Sequence, residues 1–340
     1  RTLDLGAVQK FFEQRVLGQP EAIRTVLDII TLIKAGLNDP GKPIGVFFFV
    51  GPTGVGKTEL ARALAEFIFG SAERLVRIDM SEFKDYHSFE KLIGNPQAGS
   101  QNPLQHGTLT AAVREQPFSV ILLDEFEKAH PNIYDLFLQV FDSGRLTDVA
   151  GNTTDFTQTI VVMTSNLANE LAGESPIGFK AETYMPSMDE VAREMKKYFR
   201  PEFINRLDDV VVFRSLPRDE VRKIAQRELG KVLLRSGITR RNTRIDVDTE
   251  VVELMLREGF NSQYGARPLK RAVERSVLLP IARQLISVPP DGSAPLLRLH
   301  VQDGQVKVRM IRDSESRKTD VITKGITVVE GKKGLFVSMP

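Results

Sequence analysis

Apolar residues recur at helical spacing through the first part of the chain. The stretch AVQKFFEQRV, the turn-like LGQP and the longer EAIRTVLDIITLIKAGL predict two helices within residues 7–35. Pro20 suits the first turn of the second helix, where its missing N–H has no intrahelical partner to lose. Asn38 to Pro43 is a turn-rich break, after which the pattern changes. GVFFFV at 45–50 is an unbroken apolar run of strand length, followed by Gly51-Pro52-Thr53-Gly54 and the helical KTELARALAEFIFG. The runs LVRIDM at 75–80, FSVILLD at 118–124 and TIVVMTSN at 159–166 repeat this theme, each passing into polar or helical sequence. Strands without alternation, separated by helices, predict a parallel sheet covered on both faces, hence an α/β fold.

The composition shifts after about Phe213. Leu216 to Ser236 reads as an amphipathic helix, VDTEVVELMLREGF and ARPLKRAVERSVLLPIARQLIS as two more, and LLRLHVQDGQVKVRM as a β-hairpin. We expect a large α/β domain over residues 1–213 and a smaller C-terminal α+β domain over 214–312. A Lys/Ser/Thr-rich tail over 313–340 holds two further strand-like runs, VITKGITVV and KGLFVSM. A length of 340 residues accommodates two domains with cores of their own.

Composition then removes whole classes of chemistry. There is no cysteine, so disulfides, thiolate nucleophiles and Cys-ligated zinc are excluded. His87, His106, His130 and His300 lie far apart without the spacing of a metal pair, which argues against a catalytic metal held by protein side chains alone. With 46 Lys+Arg against 44 Asp+Glu, the balance argues against nucleic-acid and membrane partners. Four arginines within 235–244 read either as a solvated stretch or as a local phosphate patch. No apolar run approaches the ~20 residues of a membrane helix. No signal-peptide pattern opens the chain, so a cytoplasmic location is expected; the chain starts at Arg1, as a piece of a longer protein would.

The chemistry that remains centres on three strand ends. GPTGVGKT at 51–58 fits GxxxxGK[ST], and it directly follows an apolar strand and opens a helix, as a phosphate loop must. Its glycines let backbone N–H groups converge on phosphate oxygens at a helix N-terminus. Lys57 is then placed to reach the β- and γ-phosphates and Thr58 to hold Mg²⁺. The candidate nucleotide contacts are Gly51, Pro52, Thr53, Gly54, Val55, Gly56, Lys57, Thr58 and Glu59. VILLDE at 120–125 supplies Asp124 to orient Mg²⁺ and Glu125 to polarise an attacking water. Asn166, ending TIVVMTSN, could contact the γ-phosphate or the water, or simply serve as a turn or helix N-cap residue. Arg206 and Arg267 are candidates for stabilising transition-state charge, in cis or from a neighbouring subunit, although spacing alone does not single them out.

Seven segments together closely resemble the Clp unfoldase family of AAA+ ATPases: VLGQPEAI (16–23), GPTGVGKTELARALAEFIFG (51–70), IDMSEF (78–83), LLDEFEKAHPNIYDLFLQVFDSGRLTD (122–148), TSN (164–166), FRPEFINRLDDVVVF (199–213) and YGARPLKRAVE (264–274). The likeness runs from about Arg15 to Ile286 and is greatest to the C-terminal ATPase module of the two-ring members, the ClpA, ClpB and ClpC groups. It implies a Mg²⁺- and ATP-dependent hexameric ring that remodels or unfolds protein substrates, with 214–312 as a lid. By the same resemblance Val16 and Leu17 belong to the adenine pocket, which Ile224 closes. Asn166 and Arg267 take the two sensor roles, and Arg206 takes that of an arginine finger acting in the neighbouring subunit's site.

Two features depart from or extend that pattern. The family's pore loop carries an aromatic that grips substrate, whereas GNPQAGSQNPLQHG at 94–107 has neither such an aromatic nor a charged side chain, and Leu104 is its only sizeable apolar group. Either grip is weakened, or another segment such as 142–156 or a partner ring supplies it. The alternative is a ring that switches the state of a bound partner without threading; a DNA-remodelling AAA+ protein fits the charge balance less well. Ile177-Gly178-Phe179 resembles the tripeptide by which protease-linked Clp unfoldases dock a peptidase ring, or else Phe179 packs on its own domain.

Overall fold

The computed structural model describes residues 4–86, 88–94, 107–148, 151–167, 185–239, 244–259, 266–286, 296–311, 325–331 and 334–338. The chain divides into two compact units, Arg1–Ser215 and Leu216–Pro340.

In the first unit, helices α1 (Leu5–Glu13) and α2 (Pro20–Lys34) precede strand β1 (Gly45–Val50). Pro20 stands at the first position of α2, as its fixed φ predicts. Helix α3 (Lys57–Phe69) follows β1 across the glycine-rich loop and ends on Gly70, a left-handed residue at φ 81° whose N–H bonds to the carbonyl of Glu66. Then come β2 (Leu75–Asp79), α4 (Ser88–Ile93), α5 (Thr108–Glu115), β3 (Ser119–Asp124), α6 (Pro131–Ser143), a short hairpin of β4 (Arg145–Thr147) and β5 (Thr153–Asp155), and β6 (Thr159–Ser165). Helices Met188–Tyr198 and Pro201–Ile204 lead to β7 (Asp209–Val212).

The central sheet is parallel throughout, in the order β2-β3-β6-β1-β7. β1 and β6 are buried along their whole length, which is why neither alternates. Because β6 lies between β3 and β1, Leu123 pairs with Met163 and Val50 with Ser165. The carboxyl ends of three strands thereby lie side by side. Phe126 at the end of β3 stacks on Phe199 and Phe203 and meets Tyr134 and Phe137 of α6, so an aromatic cluster underpins the segment after Asp124.

The residues that flank 95–106, a stretch outside the described residues, are closely held. A Cβ on Gly107 would lie 2.1 Å from the carbonyl carbon of Ile93, so only glycine permits this approach of the two flanking backbones. Thr108 and Thr110 donate to the carbonyls of Lys91 and Ile93 across the same gap. The tripeptide Ile177-Gly178-Phe179 also falls outside the described residues.

The second unit pairs helices with a five-stranded sheet, ordered β10-β9-β8-β11-β12. Its strands are β8 (Arg244–Asp248), β9 (Leu296–Gln302), β10 (Gln305–Ile311), β11 (Gly325–Gly331) and β12 (Gly334–Ser338). β8 and β9 are parallel and the other pairs antiparallel. The hairpin expected from LLRLHVQDGQVKVRM is β9–β10, and the strand-like runs expected near the C-terminus extend the same sheet through β8. Helices Arg218–Leu233, Thr249–Gly259, Arg267–Val273 and Leu279–Ile286 contribute Leu229, Met255, Leu269, Val273 and Ile281 to the buried interior. The last two helices are joined by a π-helical turn, Glu274–Leu278. Among the described residues, no helix is long and apolar enough to cross a membrane.

Candidate active site

The loop between β1 and α3 is shaped by its glycines. Gly54 and Gly56 have φ of 75° and 112°, conformations that a side chain disfavours. Gly51 lies so close to the end of β7 that a Cβ would sit 2.6 Å from Phe213 Cβ and 2.8 Å from its carbonyl oxygen. Val16 packs beside the loop, with Cγ1 3.2 Å from where a Cβ on Gly56 would stand, and Leu17 is half-buried next to it.

Lys57, the first residue of α3, is 8% exposed. Its ammonium donates to the carbonyls of Gly51 at 2.5 Å and Pro52 at 2.7 Å, and to Asn166 Oδ1 at 2.9 Å. Burial pulls its pKa down to about 8, against the attraction of Asp124, Glu127 and Glu125. Thr58 is half-buried beside it, and Glu59 is exposed and paired with Arg62 at 2.8 Å.

Asp124 ends β3 with both carboxylate oxygens engaged. Oδ1 accepts from the Thr164 hydroxyl, and Oδ2 from Arg77 Nη2 at 2.5 Å and Nε at 3.1 Å. Glu125 has φ 56° and ψ 48°. That left-handed conformation costs a side-chain-bearing residue roughly 1–2 kcal/mol, and here its N–H is held by Thr164 Oγ1 at 3.2 Å. Its Oε2 accepts from Lys128 at 2.5 Å, and its Oε1 lies 3.4 Å from Asn166 Nδ2. Asn166 thus spans the lysine and the glutamate from the end of β6. Its amide oxygen faces the cation and its amide nitrogen faces the carboxylate.

Glu127 accepts from the Asn166 backbone N–H at 3.2 Å, while its buried Oε2 has no hydrogen-bond partner among the described residues. Burial pushes its carboxyl above the usual range, opposed by hydrogen bonds such as this one. The hydrogen bond to Glu125 moves the Lys128 ammonium up as well, by favouring its charged form.

Arg206 is exposed after helix Pro201–Ile204, and its Nε donates to Asp142 of α6, which raises its pKa further. In the second unit, Ile224 is half-buried on helix Arg218–Leu233, and Arg267 is the exposed first residue of helix Arg267–Val273. Sequence reasoning did not find Arg77, Thr164, Glu127 or Lys128. Arg77 and Thr164 reach Asp124 from neighbouring strands, 47 and 40 positions away. Glu127 and Lys128 carried a usable signal in the acidic-basic run DEFEK after β3.

The arrangement can bind a polyphosphate. It offers a glycine loop at a helix N-terminus, one buried ammonium and a polar bridge to a carboxylate. Thr58 Oγ1 and the Asp124 carboxylate are hard oxygen donors of the kind Mg²⁺ prefers, and few enough to leave room for phosphate oxygens and water. The residues present therefore fit Mg²⁺ carried with a nucleotide.

Comparison with known proteins agrees with that chemistry. The family model "AAA domain (Cdc48 subfamily)" matches residues 42–210, and "C-terminal, D2-small domain, of ClpB protein" matches 216–292. Chaperone protein ClpB of Vibrio cholerae is 44% identical over 299 residues, 88% of this chain and 34% of the relative. ClpB of Aquifex aeolicus is 44% identical over 306 residues, 89% of this chain and 29% of the relative. An ATP-dependent Clp protease ATP-binding subunit ClpA homolog of Porphyra purpurea is 43% identical over 303 residues, 86% of this chain and 36% of the relative. The chain spans about a third of the length of these relatives. With a phosphate loop and an acidic strand end placed on a parallel α/β sheet, it belongs to the Clp family of AAA+ ATPases.

Proposed function

We propose that this chain is the C-terminal ATPase module of a two-ring Clp protein and that it hydrolyses Mg²⁺-bound ATP within a hexameric ring to remodel protein substrates. The observation carrying this reading is the convergence of Lys57, Asp124, Glu125 and Asn166 at three adjacent strand ends. Residues Gly51 to Glu59 cradle the phosphates, and Val16 and Leu17 line the adenine side. Lys57 exchanges its carbonyl partners for the β- and γ-phosphates. Glu125 takes a proton from water at a carboxylate oxygen, and Asn166 fixes that carboxylate relative to the lysine. Thr58 and Asp124 hold Mg²⁺, which when bound supplies charge neutralisation across the phosphates. Arg206 serves the site of a neighbouring subunit, so turnover depends on assembly; Arg267 takes the role of a second sensor.

A second reading, a ring that switches a partner without threading it, is favoured by one observation: the stretch 94–107 carries no Phe, Tyr or Trp. Such a loop gives little of the large rigid contact that gripping a polypeptide needs. ATP-dependent unfolding of a tagged model protein by the assembled protein separates the two. Unfolding coupled to ATP turnover supports remodelling by threading, whereas ATPase activity without unfolding supports the switch. Protein that neither binds nor hydrolyses ATP overturns both. A cytoplasmic site of action and a peptidase ring docked through Ile177-Gly178-Phe179 belong to the same proposal, the second tested by co-sedimentation with a Clp peptidase.

A further inference from the structure

Gln19 occupies the N-cap position of α2, yet its side chain does not cap the helix. Short polar side chains serve that position, and a glutamine is too long to be the usual choice. The residue is 1% exposed. Its carboxamide is fully used elsewhere: Nε2 donates to the Val55 carbonyl at 3.1 Å and to the Arg214 carbonyl at 2.9 Å, and Oε1 accepts from the Arg214 N–H at 3.0 Å. Its two N–H groups are thus divided between the phosphate loop and the segment by which the chain leaves the first unit. That segment is tied a second time, by Arg214 Nε donating to the Gly18 carbonyl at 2.8 Å. At the other end of the same loop, Gly51 packs directly against Phe213.

We propose that Gln19 is a positioning residue that couples occupancy of the phosphate loop to the exit segment Phe213–Ser215. The coupling rests on the ATP-site reading above. A primary amide is planar, so its two N–H groups and its carbonyl oxygen move as one body. When the loop closes on phosphate, Val55 shifts its carbonyl next to Gly56, and the carboxamide turns with it. The same turn alters both hydrogen bonds to Arg214. The exit segment therefore responds to the nucleotide through one buried side chain, separated in sequence by 36 residues from Val55 and 195 from Arg214.

The test is amide hydrogen–deuterium exchange of the peptide spanning Phe213–Ser215, with and without Mg²⁺ and the non-hydrolysable analogue AMP-PNP, in the full chain. The wild type should show a change in exchange of roughly fivefold or more on binding. Gln19→Met keeps length and volume but loses all three hydrogen bonds; Gln19→Asn keeps the amide but is one methylene too short to span both partners. Both should still bind AMP-PNP, with the exchange response cut to below about twofold. Fluorescence titration establishes nucleotide binding for each protein, and thermal unfolding establishes that it is folded. A folded variant that binds AMP-PNP and keeps the wild-type response overturns the coupling, as does a wild type that binds and shows no response. Loss of nucleotide binding by the wild type refutes the ATP-site reading instead, which is a different result on the same samples.

Discussion

Lys57 makes the relation between burial and ligand affinity measurable. Its ammonium is held at about pKa 8 in the free protein, chiefly because it is out of water. Bound phosphates would replace neutral carbonyls with negative oxygens and hold the proton well beyond that value. ATP then binds only to the protonated fraction of the free protein. At pH 7 nearly all of Lys57 is protonated, and at pH 9 about one molecule in eleven is, by simple titration around the shifted value. ATP affinity should therefore fall about tenfold between pH 7 and pH 9. Binding at pH 9 should take up close to one proton. Isothermal titration in two buffers of different ionisation enthalpy reads both quantities, and adenosine, which offers no phosphate, should show a flat profile. The same burial has a consequence for folding. A lysine whose folded pKa is lowered holds its proton longer in the unfolded chain, so stability increases as pH rises from about 8 toward 10.5. A difference of that size is worth about 3 kcal/mol. Affinity independent of pH over this range, with no proton uptake, would refute the assignment of a buried, phosphate-facing ammonium.

Three further perturbations test the rest of the site. Glu125→Gln should leave ATP bound but slow its hydrolysis by about 10²–10⁴-fold, the usual worth of a positioned general base; single-turnover kinetics would expose unchanged chemistry. If Arg206 serves a neighbouring site as proposed, Arg206→Ala should remove the dependence of ATPase rate on protein concentration, while ATP titration of dilute protein stays close to wild type. Gly51→Ala forces a Cβ against the backbone of Phe213. It should cost about 1–3 kcal/mol of stability, read by thermal unfolding, and weaken ATP binding. A variant with normal stability would mean the loop and β7 are not in close contact.

Much of the catalytic frame is legible because it is local. The phosphate loop lies within eight consecutive residues, and the apolar runs that form β1, β3 and β6 have a burial pattern visible in their composition. Asn166 can be read either as a turn residue or as a reactive one, and nothing local in TSN shows that its side chain stands between Lys57 and Glu125. β7 escapes sequence reading because four residues after a charged turn carry little periodicity of their own, and its place comes from pairing with β1. β8 is hidden behind the arginine-rich stretch before it. Gln19 and Arg77 are illegible for a different reason. Their partners are far away in sequence, and nothing local distinguishes a glutamine before a proline or an arginine in a strand.

The ion pairs around the three strand ends also set how a ligand arrives. Lys57, Arg77 and Lys128 face Asp124, Glu125 and Glu127, so cations and acids balance before any nucleotide is present. Such a site projects little field into solvent, and the near-even charge of the whole chain adds little more. Mg²⁺-bound ATP, the proposed ligand, would thus not be drawn in from a distance. Its encounter rate should change little with ionic strength, and selectivity falls to the contacts made after arrival. The residence time of the nucleotide, rather than the speed of its capture, becomes the quantity that loop and strand ends control.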